Sequence, residues 1–243
     1  MKITKQIADK VLKVVDAGLV SGLGSPEPGK MCVEAAVCFA LGLPHGDDPK
    51  CVGESVRRFK IRLNDAKWSS DEARAHGLRK LAVAQLGSDA IDQAEFRKLL
   101  AEGTIRRIVA VALRAAAKLN PKHADALEAA AVRCEVEGTR EAAKNARAAS
   151  AYASADASDA AAASASASAS ASADAAASAY AYAAYASADA ADAAAYASAD
   201  DAASAVGGGA RDAVLNISSD VALQALIKLK SPGCAFLYLT EAK

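Results

Sequence analysis

From Arg140 to Ala205 the chain contains no valine, isoleucine or threonine, and from Thr139 to Val206 it has neither glycine nor proline. Strands favour β-branched residues, while glycine and proline interrupt helices, so these absences argue against a sheet and against a broken coil. What fills the segment is alanine, with serine, aspartate and tyrosine. Alanine is the best helix former, and the segment is therefore predicted to be a helical stem. The alternating Ser/Ala run at 164–172, read alone, resembles a silk-like strand. Its surroundings favour helix.

Basic residues are also missing from residues 148–210, which carry 7 Asp and no Lys or Arg. Residues 1–147 carry 25 Lys/Arg against 19 Asp/Glu, so a net charge of zero hides a basic head and an acidic stem that attract within or between chains. Neither part has the strongly basic signature of a nucleic-acid binder. No apolar run approaches the roughly 18 residues of a membrane span, and no signal-peptide pattern opens the chain. The five cysteines, an odd number in mostly apolar helical context, read as free thiols in a reducing cytosol, and a cytoplasmic location is expected. There is no GxSxG, HExxH, Walker loop or GxGxxG, and Gly207–Gly209 lacks the lysine and strand a phosphate loop needs, so no cofactor is expected.

What is present is helical periodicity throughout. Ile3, Ile7, Val11, Val14 and Val15 predict a first helix over 2–20, ended by the Gly/Pro loop 21–29. Met31–Leu43 is apolar all round, with Glu34 as its only charge, and is predicted to be buried; Glu34 then needs a gap or a partner. The turn Leu43–Pro49 exposes His45, Asp47 and Asp48. A helix over 52–66 turns Val52, Val56, Phe59, Leu63 and Ala66 inward and is predicted to keep Arg57, Arg58, Lys60 and Arg62 on a basic outer side.

Ser69 and Glu72 have capping-box spacing before a helix that Gly87 stops, and Asp92 with Glu95 repeats the pattern. Further helices follow at 105–120, at 122–137 before Gly138, and at 210–230. The apolar end Cys234–Leu239 is expected to dock on the head. The expected architecture is thus all-α: a head over 1–138, a stem over 139–206 and a C-terminal helix with docking segment over 207–243.

Within the stem, AYASADA recurs at 151–157 and 184–190, and AYASAD at 195–200. An offset of 11 is three turns, which aligns Tyr152, Tyr185 and Tyr196 and, separately, Asp156, Asp189 and Asp200. The tyrosine stripe reads as packing. An unbroken stem of this length would reach on the order of 100 Å at about 1.5 Å per residue, and a folded-back hairpin satisfies the same pattern.

Candidate chemistry centres on residues 32–65. Cys32, Cys38, His45 and Cys51, with Asp47 and Asp48, are of metal-ligating types, although no CxxC spacing accompanies them; buried structural thiols are the plainer reading. Glu34, His45 and Asp47 or Asp48 would serve metal-assisted or acid/base hydrolysis if the turn folds over the helix; otherwise the turn residues cap and Glu34 pairs with an arginine. Arg57, Arg58 and Arg62, with Arg106 and Arg107, are candidates to hold an anionic small ligand such as a nucleotide, though such faces are commonly only solvated. Asn64 and Asp65 complete the candidate set.

The block with Glu34, Ala35, Gly42, Pro44, His45, Asp47, Pro49, Cys51, Val52, Leu63, Asn64 and Asp65, followed by an Ala-rich repeat and SPGCAFLYL, resembles helical proteins of bacteria and their phages with an EA…GxPHxDxPxCV…LND pattern. The resemblance implies a bacterial or phage intracellular protein and supplies no activity. The 11-residue repeat is also similar to that of fish type I antifreeze proteins, but those carry Thr at the repeat positions, where this stem has none. With no catalytic constellation legible, the sequence favours a non-enzymatic binding or assembly module that associates with itself or a protein partner through Ala-rich helices. Ligand binding or hydrolysis around His45, in phage–host conflict, is the alternative, and ice binding a more distant one.

Overall fold

The computed structural model describes residues 1–156 and 211–241. The central and distal stem, including the repeats at 184–200 and Gly207–Gly209, lies outside them. Among the described residues the protein is all-α, with nine α-helices and no strand. They are α1 (Lys5–Asp16), α2 (Val33–Ala40), α3 (Glu54–Asp65), α4 (Asp71–Ala84), α5 (Gln93–Thr104), α6 (Ala110–Leu119), α7 (Ala124–Glu137), α8 (Arg140–Asp156) and α9 (Arg211–Lys228). Contacts divide the chain into two units, residues 1–96 with 219–243 and residues 97–218, so the composition change near Gly138 falls inside the second.

In the first unit, α1 packs on α2 and α4, and α2 on α3 and α4. Thr4 caps α1, its side chain accepting from the Ile7 amide, and the helix stops at Asp16, earlier than its apolar spacing predicts, because Gly18 turns the chain in the left-handed region. The cap of α4 also moves by one residue: Ser70, not Ser69, accepts from the Ala73 amide at 3.1 Å. The Asp92 cap is as predicted, with its carboxylate accepting from Ala94 and Glu95. Gly53 opens α3 with no side chain to cap it. Ser88 instead accepts from the Gly53 amide at 2.9 Å, and Gln93 from the Ser55 amide at 3.2 Å.

The last residues form a 3₁₀ stretch, Pro232–Thr240, laid on α4 and α1 as the apolar sequence predicts, and α9 itself reaches α4 through Ser219, which donates to the Gly77 carbonyl at 2.8 Å. At the C-terminus of α4 the open carbonyls are satisfied from far along the chain. Ser231 donates to Ala84 O at 2.7 Å, and the Gly233 amide to Leu86 O at 2.7 Å. The approach leaves no room at Gly233, where a Cβ would stand 2.1 Å from Val83 O.

α9 ends in a Schellman turn: the Lys230 amide donates to Ile227 O and the Ser231 amide to Leu226 O. Lys230 occupies the left-handed position at φ +56°. Glycine adopts that conformation without the Cβ penalty, so Lys230→Gly is expected to stabilise the protein by about 1 kcal/mol. A shift of the denaturant midpoint to higher concentration checks this; a shift to lower concentration contradicts it.

In the second unit the helical path of α5 runs without a break through a π turn, Ile105–Val109, into α6, where the sequence suggests two separate helices. A core of Ile105, Ile108, Leu113, Leu127, Cys134 and Val214 is completed by alanines. α8 contributes Ala142, Ala143, Ala146 and Ala153, all buried against that core, and packs on α7. Small side chains permit this close helix approach. Arg106, a sequence candidate for anion binding, is spent on α7: its guanidinium donates to the carbonyls of Glu135, Val136 and Glu137 and pairs with Glu102. Gly138, left-handed at φ +62°, leaves the space the guanidinium occupies.

Candidate functional site

The polar residues of 32–65 are arranged at three depths. The deepest is Glu34, in the first turn of α2. Asn64 sets this helix in place, its Oδ1 accepting from the Val33 amide at 3.2 Å and its Nδ2 donating to Val20 O at 2.8 Å and to Asp65 at 2.9 Å. Asp65 in turn accepts from the Gly22 amide at 2.7 Å. Arg74 donates to the Asn64 and Leu19 carbonyls, and Trp68 to the Leu63 carbonyl. Asn64 and Asp65 therefore join the end of α3 to the start of α2 and to the loop after α1.

Held this way, Glu34 points into the protein and meets Lys60 of α3 at 3.2 Å, with both side chains at 0% exposure. Lys60 was expected on the outer side of α3 and is instead its most deeply placed charge. The partner demanded by a carboxylate inside an apolar helix is a lysine, not an arginine. No other polar group among the described residues hydrogen-bonds Glu34 Oε1, Oε2 or Lys60 Nζ. Burial pushes the Glu34 carboxyl up to about 6 against the pull of Lys60 and Arg57. Burial likewise pushes the Lys60 ammonium down, against Glu34.

The thiols surround this pair without forming a ligand set. Cys32 caps α2, its sulfur accepting from the Ala35 amide at 3.4 Å. Burial raises the Cys32 and Cys51 thiols, and burial with Glu34 nearby takes Cys38 to about 11. Protonated thiols are poor ligands and nucleophiles at neutral pH. All five cysteines are free, and among the described residues no three of His, Cys, Asp or Glu are grouped to hold a metal ion.

Nearer the surface, His45 sits 3.1 Å from the Gly24 carbonyl through Nε2, fastening the turn to the preceding loop. Asp48 pairs with Lys50 and, at 3.2 Å, with Arg57, which together hold its carboxyl below the usual range. Asp47 is exposed and close enough to push the Glu34 carboxyl further up. Arg58 pairs with Glu54 at 2.7 Å, and Arg62 is half-buried. Glu34 has no accessible surface, so a substrate at His45 does not touch it.

What the sequence did not indicate is a groove beside this block. It has a volume of about 470 Å³ and is lined by Val14 and two lysines of α1, by Pro28, and by Phe39 to Gly42. Phe39 is 44% exposed within a helix otherwise buried. The only signal for it was the Leu41–Gly42 stop directly after Phe39 and Ala40, which ends α2 beside the groove. None of the residues proposed from sequence lines this groove.

No family model, curated protein or solved structure matches the chain. Among the described residues no helix is long and apolar enough to cross a membrane.

Proposed function

We propose that the chain is a non-enzymatic binding and assembly module that associates through its Ala-rich helices. The observation that supports this reading is α8, where the stem composition begins. Ala142, Ala143, Ala146 and Ala153 are fully buried there, so one alanine face of this helix packs against other helices, while Ala148 and Ala151 on another side stay exposed. Each buried methyl contributes about 0.8 kcal/mol, and a long Ala/Ser surface sums many such terms. Residues 157–206 continue the same composition.

Sedimentation equilibrium of the full chain over a wide concentration range tests the reading. A mass rising from the 24.6 kDa of one chain toward twice that or more is expected. A single-chain mass at every concentration contradicts self-association.

A further inference from the structure

The groove on the first unit has a definite chemistry. Its lining combines the apolar Val14, Pro28, Phe39 and Leu41 with Lys10 and Lys13, both exposed. The two lysines, three apart on α1, lie on one face of the helix, and no carboxylate belongs to the lining. An occupant that fits must bring an aromatic or apolar body for Phe39 and an anion for the lysines.

The chain itself carries that pairing three times. In AYASAD the tyrosine precedes the aspartate by four residues: Tyr152 and Asp156, Tyr185 and Asp189, Tyr196 and Asp200. The first copy lies in α8, where Tyr152 is 72% exposed although its ring meets His123 edge-on at 5.9 Å. Its ring, apolar with a polar tip, is of the kind that suits an interface. The charge balance agrees, since residues 148–210 are acidic without one basic side chain.

We propose that the groove at Lys10, Lys13 and Phe39 receives the Tyr-x-x-x-Asp repeat of a second copy of this chain. The tyrosine ring packs on Phe39, and the aspartate pairs with the lysines. Each copy owns one groove and one set of repeats, so mutual docking closes a two-fold dimer with the same contact made twice. Three repeats per chain raise the effective concentration at each groove. Ionic contacts to exposed lysines make the association salt-sensitive.

This inference rests on the assembly reading, and light scattering on full chains separates the two. One variant carries Lys10→Glu and Lys13→Glu; another carries Asp156→Lys, Asp189→Lys and Asp200→Lys. Each alone is expected to dimerise about tenfold or more weakly than wild type, a change of about 1.4 kcal/mol or more. Mixed, the two restore the dimer, because every groove then faces an oppositely charged repeat. Unchanged thermal melting of each variant controls for folding. Wild-type association that both variants keep overturns the groove assignment and spares the assembly reading. A wild type that stays monomeric at all concentrations, as it would if each chain filled its own groove, overturns both.

Discussion

Replacing Lys60 with Met, or Glu34 with Leu, is expected to destabilise the protein by about 3–5 kcal/mol, while the two changes together leave it at least as stable as the wild type. Each single change strands a charge at 0% exposure with no other group to neutralise it. The double change replaces a pair that barely offsets its own desolvation with side chains that need no partner. Urea denaturation of the four proteins gives the coupling directly. Single variants that lose less than about 1 kcal/mol would show that water reaches the pair.

The same pair carries a pH signature. The folded protein holds the Glu34 proton more tightly than the unfolded chain does, from 4.5 up to about 6. Between those values the native state binds more protons, so stability falls as pH rises. The contribution is complete below about 4.5 and lost above about 6. Relative to the double variant Glu34→Leu with Lys60→Met, in which neither member of the pair titrates, the wild type is expected to lose about 2 kcal/mol across that window. A stability difference that stays flat, or grows, from pH 4.5 to 6 contradicts the assignment of this window to Glu34.

Gly233→Ala is the second large effect, with an expected loss of about 2–4 kcal/mol. Its Cβ would meet backbone oxygens of Val83, Leu86 and Ala84, the first at 2.1 Å, and a carbonyl at the end of a helix cannot turn aside as a flexible side chain can. Relief requires the segment 231–234 to lift away. That strips Ser231 and the Gly233 amide from the α4 carbonyls they satisfy. Thermal unfolding should show the loss, and amide exchange at Gly233 should quicken with it. A variant that melts with the wild type would mean the C-terminal segment contributes little to holding α4.

The helices were legible wherever periodicity and local stop signals acted together. The inward row Val56, Phe59 and Leu63, the Asp92 cap, the left-handed glycines 87 and 138, and the docking of 234–239 all follow from residues within a turn or two, or from apolarity that water will not tolerate. Lys60 was not legible because its neighbours in the sequence, Arg57, Arg58 and Arg62, are half-exposed; only Glu34, 26 residues earlier, explains its burial. Glu34 announced the need for a cation without saying which. Arg106 was misread for a similar reason, since the carbonyls it serves lie 29 to 31 residues later. The groove escaped because an apolar residue such as Phe39 reads as core until the surrounding helices are placed.

The contact proposed between one copy's acidic repeat and the groove at Lys10 and Lys13 of another copy is open to direct chemical capture. Mixing chains at natural abundance with chains uniformly labelled with heavy nitrogen, then joining carboxylates to amines with a zero-length reagent, reports that contact by mass. Cross-links from Lys10 or Lys13 to Asp156, Asp189 or Asp200 that pair a light peptide with a heavy one are the predicted result. Cross-links from those lysines confined to light–light and heavy–heavy pairs, or absent altogether, would contradict it.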